Sequence, residues 1–349
     1  MKTISKLLNK NGKCFIIAEA GVNHNGSFVL AKKMIDAAKT TGVDAVKFQT
    51  FTSENFVTGS TPLAEYQKKN IGKKESQITM LKKLELNYND FKALKNYCDK
   101  IGIIFLSTAH TEDAADFLAP LVPAFKVGSG DLNNFPFLEK LAKSQKWIIL
   151  STGMADINEI ETALKTIRKT SKKKISLLHC TTNYPCRLDE VNLLAMNEMK
   201  KRFERKFAPL EIGYSDHTEG IMVSAAAVAL GAKVIEKHFT LDKNMRGPDH
   251  KASLEPNELK KMVKQIRDME LVLGSGIKKP FLSEEKTKKT ARKSIVANAN
   301  IKKGEIIKKN MLIIKRPGTG IEPKYFSKIL GRKAKKDIKK DELIFWNQI

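Results

Sequence analysis

No apolar run in these 349 residues approaches the roughly 18 that a membrane-crossing helix needs. The opening stretch MKTISKLLNKNGKCFIIAEAG is basic and then apolar, but its run CFIIA is too short for a secretory leader and runs into Glu19. A cytoplasmic protein with no membrane association is therefore expected. Cysteine is scarce. Cys14, Cys98, Cys180 and Cys186 show no metal-ligand spacing, and in a reducing compartment they are expected to be free thiols. No G-x-G-x-x-G follows the first apolar segment, so the signature of a dinucleotide-binding sheet is missing. Acidic residues are few, 38 against 63 Lys+Arg, which leaves a net charge of +25. Such a surface attracts anions. The lysines are scattered in pairs, however, with no RNP-like aromatic motif, zinc-finger or helix-turn-helix spacing among them. Nucleic acid is not expected as a partner; a solvated lysine-rich surface that also steers a small anionic substrate is.

What the sequence does contain is a rhythm. Eight short β-branched or aromatic runs recur: CFIIAE (14–19), AVKFQ (45–49), IIFLS (103–107), AFKV (124–127), WIILS (147–151), ISLLH (175–179), EIGYS (211–215) and VIEKH (234–238). Helical patterns fill most of the gaps. Over 28–41, Leu30, Met34, Ile35 and Ala38 share one face and Gly42 supplies the stop. Eight βα units in about 250 residues predict a TIM (β/α)8 barrel. The long gap at 50–102 carries an extra polar stretch expected to act as a lid or interface. The barrel is assigned to residues 1–275, and a basic linker to 276–290. A small, mainly β domain is assigned to 291–349, which holds sixteen Lys/Arg against five Asp/Glu. Within it IKKGEII (301–307) and IKKDELI (338–344) form a quasi-repeat, each predicted as strand, tight turn and strand.

Chemistry in such a barrel gathers at the C-terminal strand ends. There the sequence sets Glu19, Lys47, Gln49, Thr108, Lys126, Ser129, Ser151, Thr182 and Ser215, and all six histidines are expected on the same rim. His217 and His238 end adjacent strands, so their imidazoles could share a divalent ion whose remaining positions go to water and a substrate oxygen. Lys47 and Lys126 have no packing reason to end strands. With KVGSG (126–130) and STGM (151–154) they could cradle a phosphate or carboxylate. Glu19, Asp131, Asp216 and Asp249 are rim carboxylates available for proton transfer or hydroxyl recognition.

The stretches AEAGVNHNGS, KFQTF, FKVGSGDLNNFPFLEK, STGMA, LLHCTTNYP, IGYSDHTEGI, AVALGAKVIEKHFTLDK and GPDHKASLEP resemble the sialic acid synthase family, in matching order. The C-terminal RKSIVANANIKKGEII, MLIIKRPGTGI and ILGRKA resemble that family's antifreeze-like (SAF) domain. The resemblance implies condensation of phosphoenolpyruvate with an N-acetylated hexosamine such as N-acetylmannosamine, giving a nine-carbon sialic acid and phosphate. It implies Mn²⁺, Mg²⁺ or Co²⁺ on His217 and His238, and proton transfer by Glu19. It implies phosphoenolpyruvate contacts from Lys47, Lys126, Ser129, Ser151 and Ser215, and sugar contacts from Gln49, Tyr184, Asp249 and Arg316. Thr108, Asp131 and Thr182 complete the expected substrate-binding set. A domain-swapped homodimer, each C-terminal domain capping its partner's barrel, is also implied. The wording AEAGVNHNGS and KFQTF is shared with legionaminic acid synthases, whose precursor is a diacetamido-trideoxyhexose. Where many bacterial members have Thr-Pro-Phe this chain has Thr108-Ala109-His110; Asp131 stands where many have Glu; and Cys186-Arg187 follows the Tyr-Pro pair. Two other classes stay open on the residues alone: a metal-dependent aldolase or hydrolase on the same barrel, and a basic polyanion-binding protein. Against the second, the C-terminal aromatics fall in two tight pairs rather than interleaving with the charges.

Overall fold

The computed structural model describes residues 12–71 and 75–349, and the chain divides into two compact units, Met1–Gly274 and Ser275–Ile349. In the first, eight parallel strands close into a barrel in chain order: β1 Phe15–Gly21, β2 Ala45–Thr50, β3 Ile104–Ala109, β4 Ala124–Val127, β5 Trp147–Ser151, β6 Ile175–Cys180, β7 Leu210–Asp216 and β8 Val234–His238. All eight overlap the apolar runs read from the sequence. No helix among the described residues is long and apolar enough to cross a membrane. All four cysteines are free and buried.

Local chemistry fixes the outer helices. Helix Phe28–Thr41 starts where Ser27 Oγ accepts the Leu30 N–H at 3.3 Å, and it buries Ala31, Met34, Ile35 and Ala38. Helix Ile157–Thr170 starts with a reciprocal cap: Asp156 accepts from the Glu159 amide, and Glu159 accepts from the Asp156 amide. The faces so aligned pack on the outside of the strands. Inside, alternate residues of each strand meet at the axis. The lower lumen is a plug of Phe15, Ile17, Ala45, Leu106, Ala124, Trp147, Ile149, Leu178 and Val234. A closed apolar floor of this kind leaves the C-terminal end as the place for polar chemistry.

The gap after β2 is not a bare loop. It folds into short helices Ser53–Phe56, Glu65–Ile71 and Gln77–Lys82, followed by the barrel helix Tyr88–Ile101.

In the second unit, β9 (Ser294–Ala297) and β10 (Leu312–Lys315) pair antiparallel over a core that includes Ile295, Ile301, Ile307, Ile338 and Ile344. The segment read as a linker contains a short helix, Glu285–Ala291. The quasi-repeat differs from its expected form. Neither copy is a hairpin of two strands; the copies touch each other through one isolated bridge, Ile301↔Ile338. What repeats is a turn. Gly304 (φ 86°) and Asp341 (φ 71°) occupy the same position in each copy, both left-handed. The following glutamate closes each turn, Glu305 accepting from the Lys302 amide at 2.9 Å and Glu342 from the Lys339 amide at 3.0 Å. The apolar positions alternate around these turns as they would along strands, which is why the sequence pattern suggests hairpins.

Candidate active site

One step above the apolar plug the inward side chains change character. Glu19, Lys47, Thr108, Lys126, Ser151, Ser215 and Glu236 are all buried there. Strand register puts them side by side: Glu19 lies opposite Lys47 on β2 and His238 on β8, Thr108 opposite Lys126, and Ser215 opposite Glu236.

Two lysines face two glutamates in this layer. Lys47 Nζ lies 2.6 Å from Glu19 Oε2 and 3.6 Å from Glu236 Oε2, and it donates to Thr108 Oγ1 at 2.9 Å. Lys126 Nζ lies 3.4 Å from Glu236 Oε1, which also accepts from Ser215 Oγ at 3.0 Å. The two carboxyls end up far apart in acidity. Burial pushes Glu19 up to about 7, against the pull of Lys47. Burial would raise Glu236 too, but Lys126 and Lys47, with the Ser215 hydroxyl, hold it at about 2. Burial lowers Lys126. Glu236 is thus a fixed anion, and Glu19 is the one carboxyl of the pair able to carry a proton near neutrality. Gly21 (φ 52°) marks their meeting point with the imidazoles: a Cβ there would sit 3.3 Å from Glu19 Oε1, 3.4 Å from Gln49 Nε2 and 3.6 Å from His238 Cε1.

The imidazoles of His217 and His238 face each other with centroids 5.6 Å apart, and the Tyr184 ring lies 4.1 Å from the first and 5.5 Å from the second. The Thr181 carbonyl holds His217 Nδ1 at 2.8 Å, which leaves only a 3.5 Å contact from Ser215 Oγ to Nε2. His238 Nδ1 is buried with no hydrogen-bond partner. Among the described residues no three or more His, Cys, Asp or Glu converge on a metal position. The two facing imidazoles offer two nitrogens, and a divalent ion held there would need water and substrate oxygens to complete its shell.

Above this layer opens a cavity of about 790 Å³. Of the residues expected at the site, Glu19, Lys47, Gln49, Thr108, Lys126, Ser129, Ser151, Thr182, Tyr184, Ser215, His217 and His238 line it. The hydroxyls of Ser151 and Thr182 are buried without partners. Gly153 locks their surroundings: its N–H donates to Ser129 Oγ at 3.0 Å, and a Cβ there would overlap Thr182 Oγ1. Asp131 stands beside His110, its Oδ2 3.7 Å from Nδ1. Asp249 is buried with Oδ1 unpartnered, and burial raises it to about 6. Arg316 lies in the second unit, exposed just past β10.

Only three of the six histidines line the cavity: His110, His217 and His238. The expectation of a common rim fails for the others as site groups, because backbone and side-chain partners hold them elsewhere. His179 Nε2 pairs with the Val191 carbonyl at 2.8 Å. His250 bridges Thr240 Oγ1 (2.7 Å) and Asn25 Oδ1 (3.2 Å), and His24 Nδ1 accepts from the Gly26 amide at 3.1 Å. Burial lowers His24 and His250 from 6.5 to about 4 each. Their unfolded-state imidazoles take up protons first as pH falls. The stability they lend is therefore complete above pH 6.5 and is lost as pH drops toward 4. Thermal denaturation between pH 7 and 4 should show this loss, and His24→Gln should flatten it; an unchanged slope would assign the acid sensitivity to other groups.

Sequence reading missed Glu236. The signal was present in VIEKH: period two places Glu236 on the same inward face as His238, and turns Lys237 outward to a fully buried pair with Asp216 Oδ2 at 3.1 Å. It also left His110 without a role. The cavity's upper wall takes Phe56, Tyr66 and Gln77 from the polar stretch after β2, which fits the expectation of a lid.

A family model described as NeuB family matches residues 34–278, and a SAF domain model matches 292–349. The chain belongs to the NeuB family. An N,N'-diacetyllegionaminic acid synthase from Campylobacter jejuni subsp. jejuni is 51% identical over 335 residues, 95% of this chain and 99% of that protein. Human N-acetylneuraminate-9-phosphate synthase is 38% identical, over 95% of this chain and 91% of its own. A crystal structure of the N-acetylneuraminic acid synthetase from Leptospira borgpetersenii in complex with citrate aligns with a TM-score of 0.69 and 36% identity, over 79% of this chain and 90% of that one. Among NeuB-family chains this one therefore has both parts, barrel and SAF domain.

Proposed function

We propose that this NeuB-family enzyme condenses phosphoenolpyruvate with the open-chain aldehyde of an N-acylated hexosamine, releasing phosphate and a nine-carbon sugar acid. The observation that carries the reading is one cavity holding both an anion cradle and an open imidazole pair. Lys126, Ser129, Ser151 and Thr182 form the cradle, and Lys47, Thr108 and Ser215 support it from the buried layer. His217, His238 and Tyr184 lie on the β6–β8 side.

The enol C3 attacks the aldehyde carbon and the carbonyl oxygen takes a proton, for which Glu19 is the donor. The cation left at C2 adds water, whose proton returns to the ionised Glu19. The tetrahedral product then collapses to the ketone by C–O cleavage, its hydroxyl proton leaving on the expelled phosphate. Gln49, held by Glu19 at 3.3 Å, orients the sugar chain, and Tyr184 flanks it. A divalent ion on His217 and His238 would supply Lewis-acid polarisation of the aldehyde. Glu236 keeps both lysines charged and in place. Arg316 is assigned to a sugar contact in a partner subunit's barrel.

Two observations favour the diacetamido-trideoxyhexose over N-acetylmannosamine. The C. jejuni relative at 51% identity is a legionaminic acid synthase, whereas the human N-acetylneuraminate-9-phosphate synthase is at 38%. The cavity lining also sets Phe56, Met154, Tyr184 and Pro185 beside Gln67, Asn183 and Arg187, apolar surface for acetamido methyls next to partners for their amides. Mass spectrometry of reactions with each sugar decides: the product mass should equal sugar plus pyruvate, with one phosphate released per turnover. A higher kcat/KM with N-acetylmannosamine would reverse the order of sugars; no condensation with either would overturn the reading.

A further inference from the structure

His110 has no part in that scheme, yet it is a third imidazole on the cavity wall. Its Nε2 is buried without a hydrogen-bond partner, although aromatic and backbone neighbours pack on the ring. Phe56 stacks on it with centroids 4.4 Å apart and planes at 27°, and Phe51 meets its edge at 6.2 Å. Below it is Gly128, whose missing Cβ would lie 3.9 Å from His110 Cε1. Asp131 Oδ2 stands 3.7 Å from Nδ1. The ring is thus oriented, not free, and the nitrogen turned away from Asp131 has no partner.

Its place along the barrel tells what that nitrogen meets. His110 follows Thr108 by two residues, so it continues the inward face of β3 one layer above the Thr108–Lys126 pair. The neighbouring turn, Ser129–Asp131, carries the Ser129 hydroxyl of the anion cradle. His110 stands beside the Asp131 carboxylate at the far end of that turn, and the other residues packed on its ring, Phe51, Phe56 and Gly128, offer Nε2 no partner.

We propose that His110 is a phosphoenolpyruvate-binding residue: packed under Phe56 on its face, with Asp131 Oδ2 3.7 Å from Nδ1, it donates from Nε2 to the substrate phosphate. Asp131 is then a positioning residue. The proposal rests on the phosphoenolpyruvate reading above.

Calorimetric titration of the full-length protein with phosphoenolpyruvate alone, together with steady-state kinetics in both substrates, tests it. Loss of one hydrogen bond to a charged group should raise the phosphoenolpyruvate Kd about tenfold or more in His110→Phe, with the KM for the sugar unchanged. His110→Gln, whose amide can reach the same place, should keep most of the affinity, and Asp131→Asn should lose part of it. A raised sugar KM with phosphoenolpyruvate affinity intact would overturn the assignment, as would no change in either. If the phenylalanine variant does not fold, the glutamine and alanine variants decide: equal affinity in both overturns the proposal. Absence of phosphoenolpyruvate binding in the unaltered protein would overturn the functional reading itself, and this proposal with it.

Discussion

Glu236→Gln should lower kcat/KM for phosphoenolpyruvate by about a hundredfold or more, and Glu236→Ala should also lose about 3–5 kcal/mol of stability. The reason lies in the buried layer. Glu236 lies 3.4 Å from Lys126 and 3.6 Å from Lys47, and both lysines are buried. Removing one partner of a buried pair leaves an uncompensated charge in a medium that solvates it poorly, which is where the 3–5 kcal/mol arises. Lys47 keeps Glu19 at 2.6 Å, so the larger loss falls on Lys126, for which Glu236 is the carboxylate partner. Lys126 is the cation of the anion cradle, so the kinetic effect should appear first in the KM for phosphoenolpyruvate. Glutamine preserves shape and can still accept from Ser215, which separates charge from packing. Kinetics in both substrates and thermal denaturation of the two variants measure the effect. A Gln variant with near-normal phosphoenolpyruvate KM would show that Lys126 does not depend on Glu236.

How far the site could be read in the sequence follows from the range of each physical signal. The barrel was legible because burial on both faces makes each strand a dense apolar run, and such runs as IIFLS and WIILS cannot be mistaken for loops. Lys47 and Lys126 stood out because a charge at the end of such a run has no packing explanation. Glu236 did not, because Lys237 and His238 follow it, and it is singled out among three polar neighbours only by counting back two residues from an inward His238. The answer depends on strand phase, which β8 takes from its pairing with β1 and β7. His24, His179 and His250 misled in the opposite direction. Position put them near strand ends, but a histidine's role is set by what its nitrogens touch, here the Val191 carbonyl, Asn25 and Thr240. In the second unit a repeat of turns looked like a repeat of hairpins, since Gly304 and Asp341 punctuate both patterns alike.

Chelation should abolish catalysis, Mn²⁺, Mg²⁺ or Co²⁺ should restore it, and His217→Ala should be about a thousandfold less active or worse. Polarising a carbonyl contributes several kcal/mol to a barrier, and each 1.36 kcal/mol is a factor of ten in rate. The hydrogen bonds around the two imidazoles leave a nitrogen of each for such an ion. The Thr181 carbonyl engages His217 Nδ1 and so presents Nε2 to the cavity, while His238 Nδ1 is left without a protein partner. Truncating His217 removes a side chain at the end of β7, away from the apolar plug, so the fold should survive. Mn²⁺ titration followed by electron paramagnetic resonance reads the site directly, without turnover: the unaltered protein should bind the ion and the His217→Ala variant should not. Equal binding by both would remove His217 from the metal site. The same dead variant tests the assignment of Arg316. A guanidinium donating to the sugar's acyl group contributes about 1.5–3 kcal/mol, so Arg316→Ala should be ten- to a hundredfold slower with Mn²⁺ binding intact. If Arg316 serves a partner's barrel, unfolding the two variants and refolding them together should return activity that neither has alone, because mixed dimers pair an intact barrel with an intact arm. Mixed dimers that form but stay as slow as their parents would confine Arg316 to its own chain.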